Sequence, residues 1–281
     1  MSHSSFRKNP HQGGFTLAEV LVALAITGIV TGAVFGLYLA NARTYEVQNQ
    51  VIDLQQNLRN GIDVLRRELK MAGYDPQGIG GYGIVTAGPE EIQFTLDENG
   101  DGDATHTVNK DDGTTEIVED VNEYQTFSIY TSGGKKALGR KSTSSGYNSP
   151  LAENIEALGF AYAFDADGDG MLDNAAGRIF WALPRDAGGT DHWFDLDTNG
   201  DGDIDEDDGT SGTITGVDTG ITTDLADVRA VRVWLLGRTD RPDREFLNSQ
   251  TYTIGRQIKV FNDHYRRRLL ATTVQCRNLG L

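Results

Sequence analysis

Cysteine is almost missing from this chain: Cys276 stands alone among 281 residues, so no internal disulfide can form. A large domain exported without disulfides calls for another staple, and metal is the usual substitute. Basic residues are in deficit, 25 Lys+Arg against 41 Asp+Glu, for a formal net charge of −16. That field repels phosphate backbones and argues against nucleic acid as a partner for the whole surface. Proline is scarce at 6 while glycine reaches 34, and 38% of residues are hydrophobic. The balance suits a folded chain with many turns and not a disordered one. Catalytic signatures are also missing. His3, His11, His106, His192 and His264 form no metal-ligand spacing, and there is no nucleophile elbow or phosphate loop. Cys276 lies in a strand-like run and reads as packing. These absences point away from an enzyme. The length suits one good-sized domain with added elements.

What is present begins at the N-terminus. Residues 1–14 are polar and include Arg7, Lys8 and His11, and Gly13-Gly14-Phe15-Thr16-Leu17-Ala18-Glu19 follows. From Val20 to Ala40 there is no charged residue. Such a run is about the length that spans a bilayer as a helix. Basic residues before it predict that the leader stays in the cytoplasm and the remainder is exported. An ordinary secretory signal would have a shorter apolar core and a small-residue cleavage site after it. Here the run passes straight into an amphipathic pattern. A plain signal anchor leaves Glu19 unexplained, because a carboxylate at the edge of lipid is costly and usually has a partner. Gly28, Gly32 and Gly36 recur every four residues on one face, a spacing that lets helices approach closely in lipid.

This segment resembles the N-terminus of type IV pilins. Their pattern is Gly, then Phe, then a short apolar stretch with Glu at the fifth mature position; counting Phe15 as one, Glu19 is five. The resemblance implies a prepilin peptidase that cuts between Gly14 and Phe15 and methylates the new Phe15 amine. It also implies that Glu19 pairs with the Phe15 amine of a neighbouring subunit during assembly.

Beyond Arg43 the residues turn polar but keep a period. Val47, Val51, Leu54, Leu58, Ile62, Leu65 and Leu69 form one apolar stripe at steps of three and four. Gly73-Tyr74-Asp75-Pro76 should stop the helix after Ala72. Strand candidates follow at Gly83–Ala87, Glu91–Leu96, Thr126–Thr131, Ile155–Phe164, Arg178–Leu183, Val228–Leu236 and Thr253–Phe261, separated by turn signals. Lys135–Pro150, rich in Gly and Ser, reads as a flexible loop. The fold class is α+β: a long N-terminal helix, transmembrane then amphipathic, packed on a mainly antiparallel β-sheet domain with acidic metal-binding loops. The expected segments are a leader at 1–14, a transmembrane and filament-core helix at 15–42, its amphipathic continuation at 43–72, and a β-rich head at 73–281.

Three acidic stretches look alike. Each matches the first half of a calcium loop, with oxygen ligands at positions one, three and five and Gly at six. The first offers Asp97, Asn99, Asp101 and Asp103, but has Thr105 at position nine and Val108 at twelve. The second offers Asp165, Asp167 and Asp169, with Met171 at seven and Asp173 at nine, but Ala176 at twelve. The third is the most complete: Asp197, Asn199, Asp201, Asp203 and Asp205, with Asp208 at position twelve, where a closing carboxylate is expected. Closing ligands for the first two would have to come from elsewhere. Alternate side chains turn inward round one cation, and Gly permits the sharp bend. Acidic solvated turns use the same residues. With no Cys or His among the donors, calcium is favoured over zinc or copper, at up to three sites.

Arg66–Tyr74, read Arg-Arg-Glu-Leu-Lys-Met-Ala-Gly-Tyr, closely resembles the end of the long helix in PilW-type minor pilins. Ile155–Asp169, Val228–Arg238 and Tyr265–Arg268 with Thr272-Thr273-Val274 and Arg277-Asn278 resemble the same group. The Asp97–Asp120 and Asp195–Asp208 regions look like added elaboration. The resemblance implies a low-abundance subunit that helps start type IV pilus assembly near the tip. Its partners would be other minor and major pilins, prepilin peptidase, the inner-membrane assembly platform, and lipid around residues 15–40. It would be single-pass in the inner membrane with a periplasmic head, then part of the surface pilus. Two alternatives share these features: a J-type pseudopilin of type II secretion, and a calcium-dependent adhesin at the pilus tip.

Overall fold

One helix, α1 (Leu17–Leu69), carries the first 53 residues of regular structure. The computed structural model describes residues 14–280, apart from 111–113, 144, 145, 147, 187, 190 and 191. Residues 1–13 of the expected leader therefore lie outside the described part. The chain divides into two units, Met1–Asn49 and Gln50–Leu281. In the first, α1 is apolar from Val20 to Ala40 and exposed on every face along that stretch. In the second, it turns Leu54, Leu58, Gly61, Ile62, Leu65 and Leu69 into the core: the predicted stripe from Leu54 onward, with Gly61 added and Val51 only half-buried. The helix ends three residues before Ala72, and turns over 70–73 bring Gly73 to φ +75°. A side chain at Gly73 would collide with Leu279 at 2.4 Å, so this stop is set by packing as well as by backbone freedom.

The strands are β1 (Ile84–Ala87), β2 (Glu91–Thr95), β3 (Thr105–Asn109), β4 (Thr115–Glu119), β5 (Tyr124–Ser132), β6 (Lys135–Lys141), β7 (Ser149–Glu153), β8 (Ile155–Phe164) and β9 (Asn174–Ala175). They continue with β10 (Arg178–Ile179), β11 (Ala182–Pro184), β12 (His192–Asp195), β13 (Val217–Thr222), β14 (Val228–Arg238), β15 (Thr251–Ile254), β16 (Gln257–Val260) and β17 (Arg267–Gln275). A five-stranded sheet runs β1-β2-β5-β6-β7, and a six-stranded sheet runs β13-β12-β11-β8-β14-β17. Every paired strand is antiparallel, from β1·β2 through β14·β17. The fold is a long helix followed by an antiparallel β domain, as the sequence pattern predicts.

β8 and β14 sit at the centre of the larger sheet because their side chains are apolar on both faces; nearly every residue of each is buried. The helix lies against β6, β7 and β14. A Cβ at Gly61 would stand 3.0 Å from Ala152, and one at Gly237 would stand 2.8 Å from Leu54 and 3.0 Å from Leu58. Elsewhere Phe94 stacks on Phe127 with centroids 6.0 Å apart, and Tyr162 and Phe164 pack around Trp193. The polar ends of these rings are satisfied: Tyr162 donates to Gly88 O and Trp193 to Thr223 O.

Three expectations are corrected. Lys135–Pro150 is not simply a loop, since Lys135–Lys141 forms β6 between β5 and β7, and β7 begins at Ser149. Its sequence has no β-branched residue, yet Ala137, Leu138 and Gly139 are buried by their neighbours, so tertiary packing overrides weak propensity. Thr253–Phe261 is a hairpin, not one strand, because Gly255 turns the chain at φ +57°. Arg178–Leu183 is broken into β10, paired with β9, and β11, paired with β12 and β8.

Candidate functional site

At the N-terminal end, Thr16 caps α1. Glu19 Oε2 accepts from Thr16 N at 2.8 Å and from Thr16 Oγ1 at 2.9 Å, while Glu19 N donates to Thr16 Oγ1 at 3.3 Å. This is a capping box, a Thr followed three residues later by Glu. The carboxylate is thus not isolated within one chain. Along the apolar run, which is long and apolar enough to cross a membrane, none of the helix is buried. Thr27 donates its hydroxyl back to Ala23 O at 2.7 Å, so it adds no open donor to an apolar surface. Nothing lies within 4 Å of a Cβ placed at Gly28, Gly32 or Gly36, which leaves that small-residue face open.

The three acidic loops share one hydrogen-bond plan. The first-position carboxylate sits at the centre and gathers backbone N–H groups. Asp97 accepts from Gly100 at 2.5 Å and Gly102 at 3.2 Å, Asp165 from Asp169 and Gly170 at 3.1 Å each, and Asp197 from Gly200 and Gly202 at 2.8 Å each. Position three accepts from the N–H of position five in each loop: Asn99 from Asp101, Asp167 from Asp169, Asn199 from Asp201. Position five accepts from position seven: Asp101 from Asp103, Asp169 from Met171, Asp201 from Asp203. Glycines at positions four and six all have positive φ, between 71° and 99°, which turns alternate side chains to one side. All three first-position aspartates are buried, although the loops around them are exposed.

The loops differ in what closes them. In the third, Asp208 Oδ1 accepts from Thr198 N at 2.6 Å and Asn199 N at 3.2 Å, and its Oδ2 accepts from Asp205 N at 3.0 Å. Asp205 also caps the short helix Glu206–Asp208. In the second, Asp173 Oδ2 accepts from Ala166 N at 2.7 Å. In the first, the corresponding N–H groups, Glu98 N and Asn99 N, donate to Glu123 Oε1 at 3.1 and 3.2 Å. Glu123 comes from the turn between β4 and β5.

Carboxylate convergence favours the first two loops. One oxygen from each of Asp97, Asp101 and Glu123 lies within 4.8 Å of the others, and the same holds for Asp101, Asp103 and Asp120, and for Asp165, Asp167 and Asp169. Among the described residues the third loop gathers no such trio. There the Arg178 guanidinium, from β10, reaches Asp195 at 2.7 Å and Asp197 at 3.0 Å, so a side-chain cation already faces the first-position carboxylate. Burial pushes the Asp195 carboxyl up, against the pull of Arg178. Burial also pushes Glu123 up, opposed by the Asn99 N–H and reinforced by the Asp120 charge. The Tyr82 hydroxyl is pushed up to about 12 by burial, then by Asp97 and Glu123. All-oxygen acidic clusters of this kind could hold a hard metal ion. The sequence pattern located the three loops and their shared turn plan. It did not reveal Glu123, whose only trace was the lack of a closing residue at Val108, nor Asp120 or Arg178, which left none.

Residues 9–35 match the Prokaryotic N-terminal methylation motif. The long helix followed by an antiparallel β domain fits the type IV pilin class to which that motif points. Residues 190–278 match the family described as Type IV Pilus-assembly protein W. The two matches fall at the two ends of the chain and support a type IV pilin of the PilW type. A solved structure, the type IV-like pilin TTHA1219 from Thermus thermophilus, is similar at 16% identity over 81% of this chain and 98% of its own, with a TM-score of 0.37. No curated protein matches the chain.

Proposed function

We propose that this chain is a minor pilin precursor. It is cut by prepilin peptidase between Gly14 and Phe15, methylated at the Phe15 amine, and built into a type IV pilus, where it helps initiate assembly near the tip. The observation that carries this reading is the uncovered apolar stretch of α1, entered directly from Gly14-Phe15 and headed by Glu19. An apolar surface this long needs lipid or neighbouring helices. Residues 15–42 are the membrane and filament-core segment, 43–72 the amphipathic continuation, and 73–281 a head on the periplasmic side, later exposed on the pilus. Other minor and major pilins and the inner-membrane platform are the partners. A subunit of this kind works by packing and pairing, with no catalytic step. Mass spectrometry of the mature protein should find N-methylated Phe15 as the first residue. An unprocessed chain, or one cut beyond Ala40, would refute the proposal.

The acidic loops support calcium as a structural ion of the head. Their donors are carboxylate, amide and carbonyl oxygens, and extracellular modules often hold calcium at about 10⁻⁴–10⁻³ M. The ligands are Asp97, Asn99, Asp101 and Asp103 in the first loop and Asp165, Asp167, Asp169, Met171 and Asp173 in the second. In the third they are Asp197, Asn199, Asp201, Asp203, Asp205 and Asp208. The cation offsets repulsion among carboxylates that loops with few apolar residues cannot hold together alone.

A further inference from the structure

We propose that Glu123 closes the first acidic loop into a cation site, supplying from the neighbouring turn the carboxylate that the loop lacks at Val108. This rests on the reading of the loops as calcium sites. Three observations carry it. Glu123 is 1% exposed, and its Oε2 is fully buried with no hydrogen-bond partner, although its other oxygen has two. A buried carboxylate oxygen left without a donor is costly, and a bound cation removes that cost. Second, the group that includes Glu123 converges with Asp97 and Asp101 within 4.8 Å. Asp97 is fully buried, so two of the three carboxylates have already been withdrawn from water.

The third observation comes from within the chain. Glu123 Oε1 occupies in the first loop the place that Asp208 Oδ1 occupies in the third, on the N–H groups of positions two and three. Asp208 stands at position twelve, where a loop of this type carries its closing carboxylate. Glu123 is that residue contributed from outside. The backbone holds it there: Leu96 N donates to Glu123 O at 3.1 Å and Asp120 N to Ala104 O at 3.0 Å, so the turn clasps both ends of the loop. Asn122 makes the turn possible at φ 74°, a conformation that Asn tolerates better than most residues. The site is all oxygen, with three formal negative charges, which suits calcium.

The test is calcium binding to the full chain in detergent micelles, stripped with chelator, followed by titration calorimetry and equilibrium dialysis with calcium chloride. Glu123→Gln keeps an acceptor for the two N–H groups and removes the charge. We expect it to bind one calcium fewer than the wild-type chain, or to weaken one site by roughly tenfold or more, since charge count tunes affinity in such loops. Asp167→Asn should remove a different site and leave the Glu123 site intact. In chelator, Glu123→Gln should melt no lower than wild type, because it keeps the acceptor for the two N–H groups and neutralises a charge whose buried Oε2 has no donor. Wild-type stoichiometry and affinity in Glu123→Gln would overturn the proposal and leave the calcium reading standing. No calcium bound by the wild-type chain would overturn both. If Glu123→Gln fails to fold, exposed Asp101→Asn carries the same expected loss, and wild-type binding by that variant overturns the proposal.

Discussion

Single residues in this chain act mainly by where their charges are held. Glu19 has one observed role and one expected from the pilin resemblance, and they can be separated. As a helix cap it depends on Thr16; the expected assembly contact needs only its charge in lipid. Glu19→Ala should leave processing intact yet block entry into filaments, whereas Thr16→Ala removes the cap partner and should cost only about 1 kcal/mol of local helix stability. Immunoblots of sheared pili would compare them, and equal loss of both variants would reduce Glu19 to a cap. Arg267 offers a second case. Its side chain has no exposed surface, and it donates to Asp263 at 2.5 and 2.7 Å and to Glu156, beneath the Phe261 ring at 3.7 Å. Arg267→Met would leave Asp263 without its close cation and Glu156 with only Arg238 at 3.6 Å, and about 3 kcal/mol of destabilisation, the low end for breaking a buried pair, is expected. The pH dependence has a definite sign. Hydrogen bonding to Arg267 holds Asp263 below the usual carboxylate range. Its contribution is therefore complete above about pH 4 and is lost as pH falls through the lowered folded value. Denaturant melts across pH 2–6 should show a shallower acid loss in Arg267→Met than in the wild-type chain.

Gly159 and Gly237 mark two close approaches between elements, and they differ in what a side chain there would strike. A Cβ on Gly159 of β8 would stand 2.7 Å from the Ile254 carbonyl carbon and oxygen, and 2.8 Å from Gly255 N. Those are backbone atoms, so the hairpin β15–β16 would have to move. At Gly237 of β14 the obstacles are Leu54 and Leu58 side chains, which can shift. Gly159→Ala should therefore cost more than Gly237→Ala, about 3 kcal/mol or more against 1–2 kcal/mol on the scale of overpacked cores. Chemical denaturation of the two variants would rank them, and a reversed order would show that the helix is the less yielding neighbour. Elements also show where sequence reasoning failed. β6 has few strand-favouring residues, and its place depends on β5 and β7 on either side of it. β3 and β4 form a hairpin whose strands carry little apolar pattern. Ile155–Phe164 and Val228–Arg238 were legible because their apolar runs are long and bounded by turn residues.

At the scale of the whole molecule, acidity and calcium are one question. The net charge of −16 works against compaction unless cations neutralise part of it. A ligand that binds only the folded state stabilises it by about 1.4 kcal/mol at ten times its dissociation constant. The full chain in detergent should thus melt several degrees higher in millimolar calcium than in chelator. Asp97→Asn should reduce that difference more than Asp197→Asn, because Arg178 already faces Asp197. Equal melting with and without calcium in the wild-type chain would leave the loops as solvated turns.

Sequence alone determined the features that arise from neighbours a few residues apart. These are the Gly14-Phe15…Glu19 segment, the apolar run, the stripe from Leu54 to Leu69, and the first six positions of each acidic loop. Helical period, chain charge and short ligand spacing are local, so they can be read in one dimension. Tertiary structure decided which carboxylates converge. Glu123 reaches the first loop only because β4 and β5 place their turn beneath it, and Arg178 reaches Asp197 only because β10 folds back from the second loop towards the third. The loop that looked most complete in one dimension is the one with an internal cation beside its first aspartate. Burial and pairing are properties of neighbours brought together by the fold, and no spacing along the chain encodes them.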